Sequence, residues 1–566
     1  MNPEPPINPP VRHAAWKIWA NPIFRRYCQS RLRPQGLGLA LLITVIIAGF
    51  IVAMGSSLGV RGTMTTADAA RNGIIPLLFV QGIILFILGT AQIAGGMTAE
   101  RDEGVIDYQR LIPMSPHAKV MGYLFGLPVR EYAMFLATLP FTAWSMWRGQ
   151  VAWNVWLPLY LIVMFSALLY HFTGLLTGTV ARNRRWAFLL SIGLVFALYT
   201  IIPQMAKFGL VFFKYLTISP VFEESLPGIL PSSAGAVARA AQRLLPTVKF
   251  FNLDFSESVF TVFSQGGLIL TFIVMLCRKW RRAEAHLLGK PWAAGFFVWI
   301  QILLLGNALP LIGPGDLFPS HGLYRMVRVM PDWAPTRDEA VLLSGIYGFV
   351  TLALMLVLAT IITPTADNQL RGWRRARKQG VSTLPHLADA ATGFWFVLVM
   401  AVAGAVGWFL FTRALVESSW FPGHQVPLTV LGYFTAVMVA AGLGYQTLLE
   451  SKGGHAVSLA IIFVGVVPVL VGSVLSVISD RFAPTATWLI GMSPASMPFY
   501  ASGSLLSIAE LPTQVSRAMP RAFTFWLLVF LLVTAWLAAK LLAKRKAMAH
   551  HMLAIPQVGP VTQDPP

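Results

Sequence analysis

The chain has 566 residues, of which 56% are hydrophobic and 12% are charged, and its formal net charge is +20. Soluble domains carry about 25% charged residues, so this composition excludes an ordinary soluble protein and indicates a membrane protein. In a soluble protein the positive charge would suggest nucleic-acid binding, but here basic loops beside an anionic cytoplasmic membrane surface explain it. We therefore expect a multi-pass protein of the plasma membrane, a bacterial inner membrane in particular, with no nucleic-acid partner.

Apolar runs recur along the chain, and twelve of them approach the roughly 20 residues that a membrane-spanning helix needs. They predict spans near 37–58, 75–97, 120–146, 153–179, 186–206, 258–277, 291–312, 340–363, 391–412, 427–448, 455–478 and 523–543. Arg130 and Glu131 interrupt the third run. Neighbours on a helix point about 100° apart, so this pair should not meet and marks a kink or a polar inner face.

The basic residues predict the orientation. The clusters FRRYCQSRLR, ARNRRW, CRKWRR, LRGWRRARK and AKRKAMAHH all fall on one side of a twelve-span arrangement. Lys and Arg are enriched on the cytoplasmic side, so both termini should be cytoplasmic. The charge-free segment 482–509 would reverse the C-terminus if it spanned the membrane. We predict that it forms one or two short re-entrant or interfacial helices on the outer side.

The chain also shows a weak internal repeat. TAERDEGVIDYQR at 98–110 pairs with TADNQLRGWRRAR at 365–377, and shorter similarities follow in the same order. With six spans in each half, the halves would be parallel repeats related by an axis along the membrane normal. The predicted domains are an N-terminal cytoplasmic tail at 1–36, a first half at 37–277, a cytoplasmic linker at 278–290, a second half at 291–543 and a cytoplasmic tail at 544–566.

A dense polar stretch, TAERDEGVIDYQRLIPMSP, lies between the second and third predicted spans. Its charged residues are Glu100, Arg101, Asp102, Glu103, Asp107 and Arg110. Helical spacing separates Val105, Tyr108 and Ile112 from most of them, so one side of a cytoplasmic helix can rest on the bilayer while the other projects. Pro113 and Pro116 end the helix. A partner that grips such a helix can move both neighbouring spans.

The same stretch resembles a known motif. ERDEGVIDYQRLIPMSP is similar to the motif of ABC-2 type transporter permeases, roughly E-R-E-x-G-T-L-E-x-L-x-x-x-P-x-S. The residues that match are Glu100, Arg101, Gly104, Asp107, Pro113 and Ser115. Val105 stands where the family has Thr, and Tyr108 and Gln109 also depart from the pattern. The N-terminal NPIFRRYCQSRLRPQG resembles that family's amphipathic connecting helix.

The resemblance implies an all-α polytopic membrane protein of about twelve transmembrane helices, with two parallel six-helix repeats, short cytoplasmic coupling helices and outer re-entrant helices. It implies the permease subunit of an ATP-driven exporter, which docks separate ATPase subunits, two copies or a pair. ATP and Mg would bind those partners, and no cofactor would bind this chain. The coupling residues would be Glu100, Arg101, Asp102, Glu103, Gly104 and Asp107, with Asp367, Gly372, Arg374 and Arg375 in the second half.

Catalytic signatures are missing from the sequence. It contains no P-loop G-x-x-x-x-G-K-[ST], no HExxH and no CxxC. We therefore predict no catalytic residue, no metal site and no ATPase activity in this chain. His171, in the fourth span, should hydrogen-bond between helices. The alternative is that it lines a substrate path together with Arg130 and Glu131.

Two other classes of function stay open. A twelve-span secondary transporter driven by an ion gradient shares the plan of two six-span halves. It would be expected to carry more ionisable residues inside the membrane than Arg130 and Glu131. A polytopic enzyme acting on lipid or glycan would require a cluster of catalytic acids or histidines at the membrane surface, which the sequence does not show convincingly.

Overall fold

A computed structural model describes residues 17–60, 64–180, 184–232, 234, 248–321, 333–381, 384–506 and 513–554. Within these ranges the chain is almost entirely helical. The strands found there form one two-stranded hairpin, β1 (Val248–Phe250) and β2 (Leu253–Phe255), which the sequence did not predict. The prediction of an all-α polytopic membrane protein is confirmed apart from this hairpin.

Residue contacts divide the chain into two compact units. Unit 1 consists of Met1–Ala206, Val211–Lys249 and Leu253–Ala283. Unit 2 consists of Lys207–Leu210, Phe250–Asn252 and Glu284–Pro566. The principal boundary, between Ala283 and Glu284, falls inside the linker predicted at 278–290.

Unit 1 begins with a short amphipathic helix and continues with long apolar ones. Its α-helices are α1 (Pro22–Arg31), α2 (Pro34–Val60), α3 (Thr66–Arg71), α4 (Ile74–Gly82), α5 (Thr90–Asp102), α6 (Val105–Leu111), α7 (Pro116–Gly126), α8 (Val129–Arg148), α9 (Trp153–Val180), α10 (Arg184–Phe196), α11 (Ser219–Ile229) and α12 (Glu257–Arg281). The π-helical segment Ile83–Gly89 joins α4 to α5. Asn21, Ser115 and Ser256 cap α1, α7 and α12 by accepting hydrogen bonds from backbone N–H groups of the first turn.

Unit 2 contains the remaining long helices. Its α-helices are α13 (Lys290–Ala308), α14 (Arg337–Ile362), α15 (Ala366–Lys378), α16 (Phe394–Val416), α17 (Thr429–Lys452), α18 (Gly454–Ala460), α19 (Val467–Ile478), α20 (Ala483–Gly491), α21 (Met497–Leu505) and α22 (Thr513–Ala554). The π-helical segment Ile461–Val466 joins α18 to α19. The segment 482–509 was predicted to form one or two short helices, and its described residues contain two, α20 and α21.

Short 3₁₀ helices fill several connections. They are Ile18–Ala20, Ile202–Phe208, Val211–Leu216, Leu309–Leu311 and Asp480–Phe482. Such turns are common as connectors because their hydrogen bonds are poorer than those of an α-helix and rarely persist over long runs. The described residues between 206 and 257 form short helices and the hairpin.

Ten helices among the described residues are long and apolar enough to cross a membrane. They are Pro34–Ser57, Thr66–Asp102, Trp153–Val180, Glu257–Arg281, Lys290–Leu311, Arg337–Ile362, Phe394–Val416, Thr429–Lys452, Gly454–Ile478 and Gln514–His551. These ten coincide with ten of the twelve predicted spans. The chain is therefore a multi-pass membrane protein.

The other two predicted spans are interrupted helices. The segment near 120–146 breaks at Leu127 and Pro128, between α7 and α8. Proline lacks the N–H that would continue the hydrogen-bond ladder, which explains the break. The segment near 186–206 starts as α10, passes through the π-helical turn Ala197–Ile201 and ends as a 3₁₀ helix. Neither segment is one uninterrupted helix of membrane-spanning length and hydropathy.

Each unit contains the same three pairs of packed helices when its six predicted spans, including the interrupted ones, are taken in order. In unit 1, α2 packs on α8, α5 on α9 and α9 on α12. In unit 2, α13 packs on α16, α14 on α17 and α17 on α22. In both units a short polar helix, α6 or α15, follows the second of these helices. Close approach of α5 and α9 depends on small residues, since a Cβ on Gly178 would lie 2.7 Å from the Cβ of Met97.

Candidate coupling site at the polar helix ends

The polar stretch predicted as one connector is split by Gly104. Glu100, Arg101 and Asp102 belong to the last turn of the long helix ending in α5, and only α6 is a separate helix. Gly104 has φ 72°, and its N–H donates to the Arg101 carbonyl at 3.0 Å. A Cβ there would meet nothing within 4 Å. Within this chain Gly104 is thus needed for its left-handed conformation.

Glu100 is held inside the protein. Its Oε1 forms an ion pair with Arg26 and accepts a hydrogen bond from the Tyr27 hydroxyl at 2.7 Å. Its Oε2 accepts from the Tyr123 hydroxyl at 3.0 Å, and the side chain is only 14% exposed. Burial, together with the Glu100 carboxylate, raises the pKa of Tyr27, so its hydroxyl stays protonated and donates. One carboxylate therefore ties α1 and α7 to the end of α5.

The connecting helix α1 lies directly on α7 because two glycines leave room for it. A Cβ on Gly122 would lie 2.7 Å from the Oδ1 of Asn21, and one on Gly126 would lie 2.8 Å from the Tyr27 ring. The Asn21 amide donates to the Ala118 carbonyl at 2.6 Å. The spacing of four residues puts both glycines on one side of α7, which allows this close contact.

We expect Gly126→Leu to separate α1 from α7 and to cost about 1–3 kcal/mol, because the new side chain collides with the Tyr27 ring. Thermal unfolding of the protein in detergent measures this effect. Gly266→Leu on α12 is the matched control, since a Cβ there meets nothing within 4 Å. Equal melting temperatures for the two variants would show that α1 is not packed in this way.

The helix α6 is anchored on three sides. On its inner side, its own residues Ile106 and Gln109 are buried. The Lys119 ammonium donates to the carbonyls of Ile112 at 3.0 Å and Arg110 at 3.4 Å, near the end of α6. The Arg110 guanidinium in turn donates to the Lys279 carbonyl at 3.4 Å. These contacts join α6 to α7 and α12, so a force applied to α6 acts on both.

The outward side of this region combines acids with apolar side chains. We define the α6 patch as Asp102, Glu103, Asp107, Tyr108 and Leu111, all of which are exposed. Tyr108 is 69% exposed and Leu111 82%. Asp102 pairs with Arg101 at 2.8 Å and Asp107 pairs with Arg110, whereas Glu103 projects freely beside them. Aromatic and aliphatic anchors surrounded by charges are typical of protein-binding surfaces.

The helix α15 of unit 2, which contains the sequence paired above with residues 98–110, has the opposite charge on its exposed side. Thr365 caps its N-terminus, and Asp367, Arg374 and Arg375 are exposed. Gly372 faces inward, because a Cβ there would collide with the Cβ of Ala390. The exposed Asp367 and basic residues could meet a partner, but Gly372 packs within unit 2.

Glu284 attaches α15 to the start of unit 2. It forms ion pairs with Arg371 and, at 2.7 Å, with Arg375. Desolvation raises the pKa of Glu284, whereas its interactions with the guanidinium groups of Arg371 and Arg375 lower it. The net result is a pKa below the usual 4.5. The carboxylate is therefore charged at neutral pH, and Arg375 is already paired within the chain.

A second internal carboxylate, Glu450 at the end of α17, was missed by sequence reasoning. It accepts hydrogen bonds from the Arg545 Nε at 2.8 Å, from the Gln369 amide and from the Thr392 hydroxyl at 3.1 Å. Its side chain is 1% exposed. The Arg545 guanidinium also lies over the Phe394 ring, 4.8 Å from its centroid. Glu450 thus joins α15, α17 and α22, much as Glu100 joins α1, α5 and α7.

Arg130 and Glu131 contact each other, contrary to the prediction from helical spacing. The Arg130 Nη2 lies 3.0 Å from the Glu131 Oε1 at the first turn of α8. The long, flexible arginine side chain bends around the helix to reach its neighbour. Glu131 is buried and Arg130 is 43% exposed, so the pair extends from the interior to the surface. A role in a substrate path stays a prediction.

His171 bridges helices, as one of its two predicted roles requires. Its Nε2 lies 2.9 Å from the Leu85 carbonyl, which only accepts, so Nε2 carries the proton. The Nδ1 then accepts from the Tyr132 hydroxyl at 2.8 Å. Gly89, in the adjoining π-helical segment, makes room for the ring, since a Cβ there would lie 2.6 Å from Nε2. Both ring nitrogens are therefore satisfied within unit 1.

In the described part of the chain, no group of three or more His, Cys, Asp or Glu side chains is placed to hold a metal ion.

Comparison of the sequence with protein-family models and with curated proteins, and of the structure with solved structures, gives no match.

Proposed function

We propose that this chain is the membrane-spanning permease subunit of an ABC-2 type exporter and that its α6 patch docks a separate ATPase. The single observation that carries the proposal is the α6 patch, an exposed acidic and apolar surface on a short helix anchored to α7 and α12. The resemblance of residues 100–116 to the ABC-2 motif supports it. In this proposal α6 and both termini are cytoplasmic, and the membrane is a bacterial inner membrane.

The geometry suggests how such docking would move the permease. Pressure on Tyr108 and Leu111 would pass through the buried Ile106 and through Lys119, which holds the end of α6. Because Glu100 joins α5 to α1 and α7, these helices would shift together. ATP hydrolysis, with its Mg, would occur on the partner, and no residue of this chain would be catalytic.

The plan of two six-span halves is part of the same proposal. The shared order of helices and the three shared packing pairs support it. The interrupted helices α7–α8 and α10 would then complete the first half. In the second half, α15 would be the counterpart of α6, with Asp367, Arg374 and Arg375 at its outer side. Its basic charge would require a different surface on the ATPase.

Co-purification tests the docking surface. The variant Glu103→Lys with Tyr108→Ala and Leu111→Ala reverses one charge and removes both apolar anchors of the α6 patch, and it leaves the buried side of α6 and the Asp107–Arg110 ion pair in place. We expect the amount of P-loop ATPase that co-purifies with the full chain in mild detergent to fall at least about tenfold, equivalent to roughly 1.4 kcal/mol. Monodisperse elution of the variant would establish that it inserts and folds.

The matched control is Leu253→Ala with Asp254→Lys, another exposed apolar and acidic pair in unit 1. This control should retain the ATPase. Equal retention by both variants would mean that the α6 patch only keeps the connector soluble. Gradient-driven transport by the purified chain without any ATPase would instead favour the secondary transporter.

A further inference from the structure

Unit 2 contains an apolar cavity of about 450 Å³ between α14, α17, the π-helical segment Ile461–Val466 and α22. Its two hydroxyl groups already have partners. Thr534 donates to the Ala440 carbonyl at 3.0 Å, and Tyr445 shares a hydrogen bond with Thr360 at 2.7 Å. Water in a cavity needs two to four polar partners, and apolar cavities of about 150 Å³ already take up hydrocarbon ligands. The lining therefore suits hydrocarbon rather than water.

The cavity reaches the outer surface of the helices through apolar residues. Ile461 and Val533 line it and are 51% and 46% exposed. The helix Gly454–Ile478, which forms this wall, is mostly outward-facing, with 11% of its most apolar window buried. An outward-facing apolar helix of membrane-spanning length is covered by lipid tails. What lies at this opening is therefore the hydrocarbon of the bilayer.

The backbone of this wall is specialised to leave space. The π-helical segment widens the helix at the cavity, and the Ser493 hydroxyl donates to the Gly465 carbonyl at 2.7 Å. A Cβ on Gly465 would meet nothing within 4 Å. Single π-helical turns frequently mark functional sites. An unfilled void of this size would deprive its lining of packing contacts, so an occupant is favoured.

We propose that this cavity is a binding site for a single hydrocarbon chain, which enters sideways from the bilayer between the π-helical wall and α22. The chain belongs either to a phospholipid of the surrounding membrane or to a lipid-like molecule that the protein handles. This proposal is argued from the geometry of unit 2 alone, so it does not depend on the α6 patch or on the identity of a partner that binds there.

Photolabelling tests the site. The full-length protein is placed in liposomes containing a phospholipid with a diazirine in one acyl chain, and labelled peptides are identified after irradiation. We expect labelling of the cavity wall at Ile461–Val466 and on α17. Gly465→Leu should reduce that labelling about fivefold, because leucine extends into the open space. Labelling of the exposed helix α2 should be the same in the variant and the unmodified protein. That result would show that the variant is still inserted in the bilayer.

Gly432→Leu is the matched control, since Gly432 lies on α17 away from the cavity lining and a Cβ there also meets nothing within 4 Å. It should label like the unmodified protein. Equal labelling of the cavity wall in both variants would overturn the proposal. So would cavity labelling in the unmodified protein no stronger than on α2, a result that does not depend on any variant folding.

Mass spectrometry of molecules released when the purified protein is denatured distinguishes the two sources. A bulk phospholipid identifies the occupant as membrane lipid. A hydrocarbon-bearing molecule enriched over the bulk lipid extract identifies it as cargo. Release of no hydrocarbon-bearing molecule, with no photolabel on the cavity wall, would contradict the site altogether.

Discussion

Replacing Glu450 with alanine is expected to destabilise unit 2 by about 3–5 kcal/mol, the largest single effect that we predict. The change leaves the charge of Arg545 without its buried partner and removes the acceptor for Gln369 and Thr392. The end of α22 should then detach from α17. Thermal unfolding in detergent would report the loss, and limited proteolysis should show earlier cleavage after the basic residues that follow Lys540.

The double variant Glu450→Gln with Arg545→Gln separates lost charge pairing from general damage. Because it leaves no unpaired charge, it should cost less than the sum of the two single changes, by about 1–3 kcal/mol. Lys546→Ala, at an exposed position one residue further on, should have almost no effect. Additive single effects would show that the two side chains do not act as a pair.

Glu100→Ala should lower the free energy of unfolding by about 2–4 kcal/mol, which is less than the loss expected for Glu450→Ala. The difference arises because the partner of Glu100, Arg26, is 43% exposed and therefore partly solvated. The hydroxyls of Tyr27 and Tyr123 lose their shared acceptor, so α1 should loosen from α7. A lower melting temperature and faster proteolysis within α1 would measure this. The control is Glu103→Ala, four residues before Asp107 and fully outward-facing, which should change stability by no more than about 0.5 kcal/mol.

If Glu100→Ala and Glu103→Ala melted alike, the internal role of Glu100 would be wrong. The contrast also matters for the partner. A loss of ATPase binding in a Glu100 variant would be ambiguous, since the carboxylate supports the fold. A loss of ATPase binding in variants of Glu103, Tyr108 and Leu111 would be unambiguous, because these side chains point outward.

The sequence predicted well what depends on local pattern. Long apolar runs predicted ten of the helices, and the positions of the basic clusters led us to expect one or two short helices within 482–509, where α20 and α21 are found. The failures came from interruptions within apolar runs. Pro128 divides α7 from α8, and hydropathy averaged over a window does not register a single missing hydrogen bond. The hairpin consists of strands too short to show a period.

The candidate site was only partly predictable because its contacts join distant positions. The motif located Glu100, but nothing in its spacing revealed Tyr27 or Tyr123 as partners. Glu450 and Arg545 are 95 positions apart, and Arg545 was interpreted only as part of a basic cluster that sets orientation. For Arg130 and Glu131, helical geometry alone was misleading, since a flexible side chain can reach a neighbour that the backbone directs elsewhere.

The most direct test of the proposed coupling is site-specific photocrosslinking from Leu111, the most exposed residue of the α6 patch at 82%. The full chain would carry benzoylphenylalanine at this position in its native membrane, and irradiated adducts would be identified by mass spectrometry. We predict an adduct with a protein that contains a P-loop ATPase domain, and no such adduct when the photoreactive residue replaces Leu253 in the hairpin. Adducts with lipid alone at position 111 would contradict the proposal, because they would place α6 against the bilayer instead of a partner.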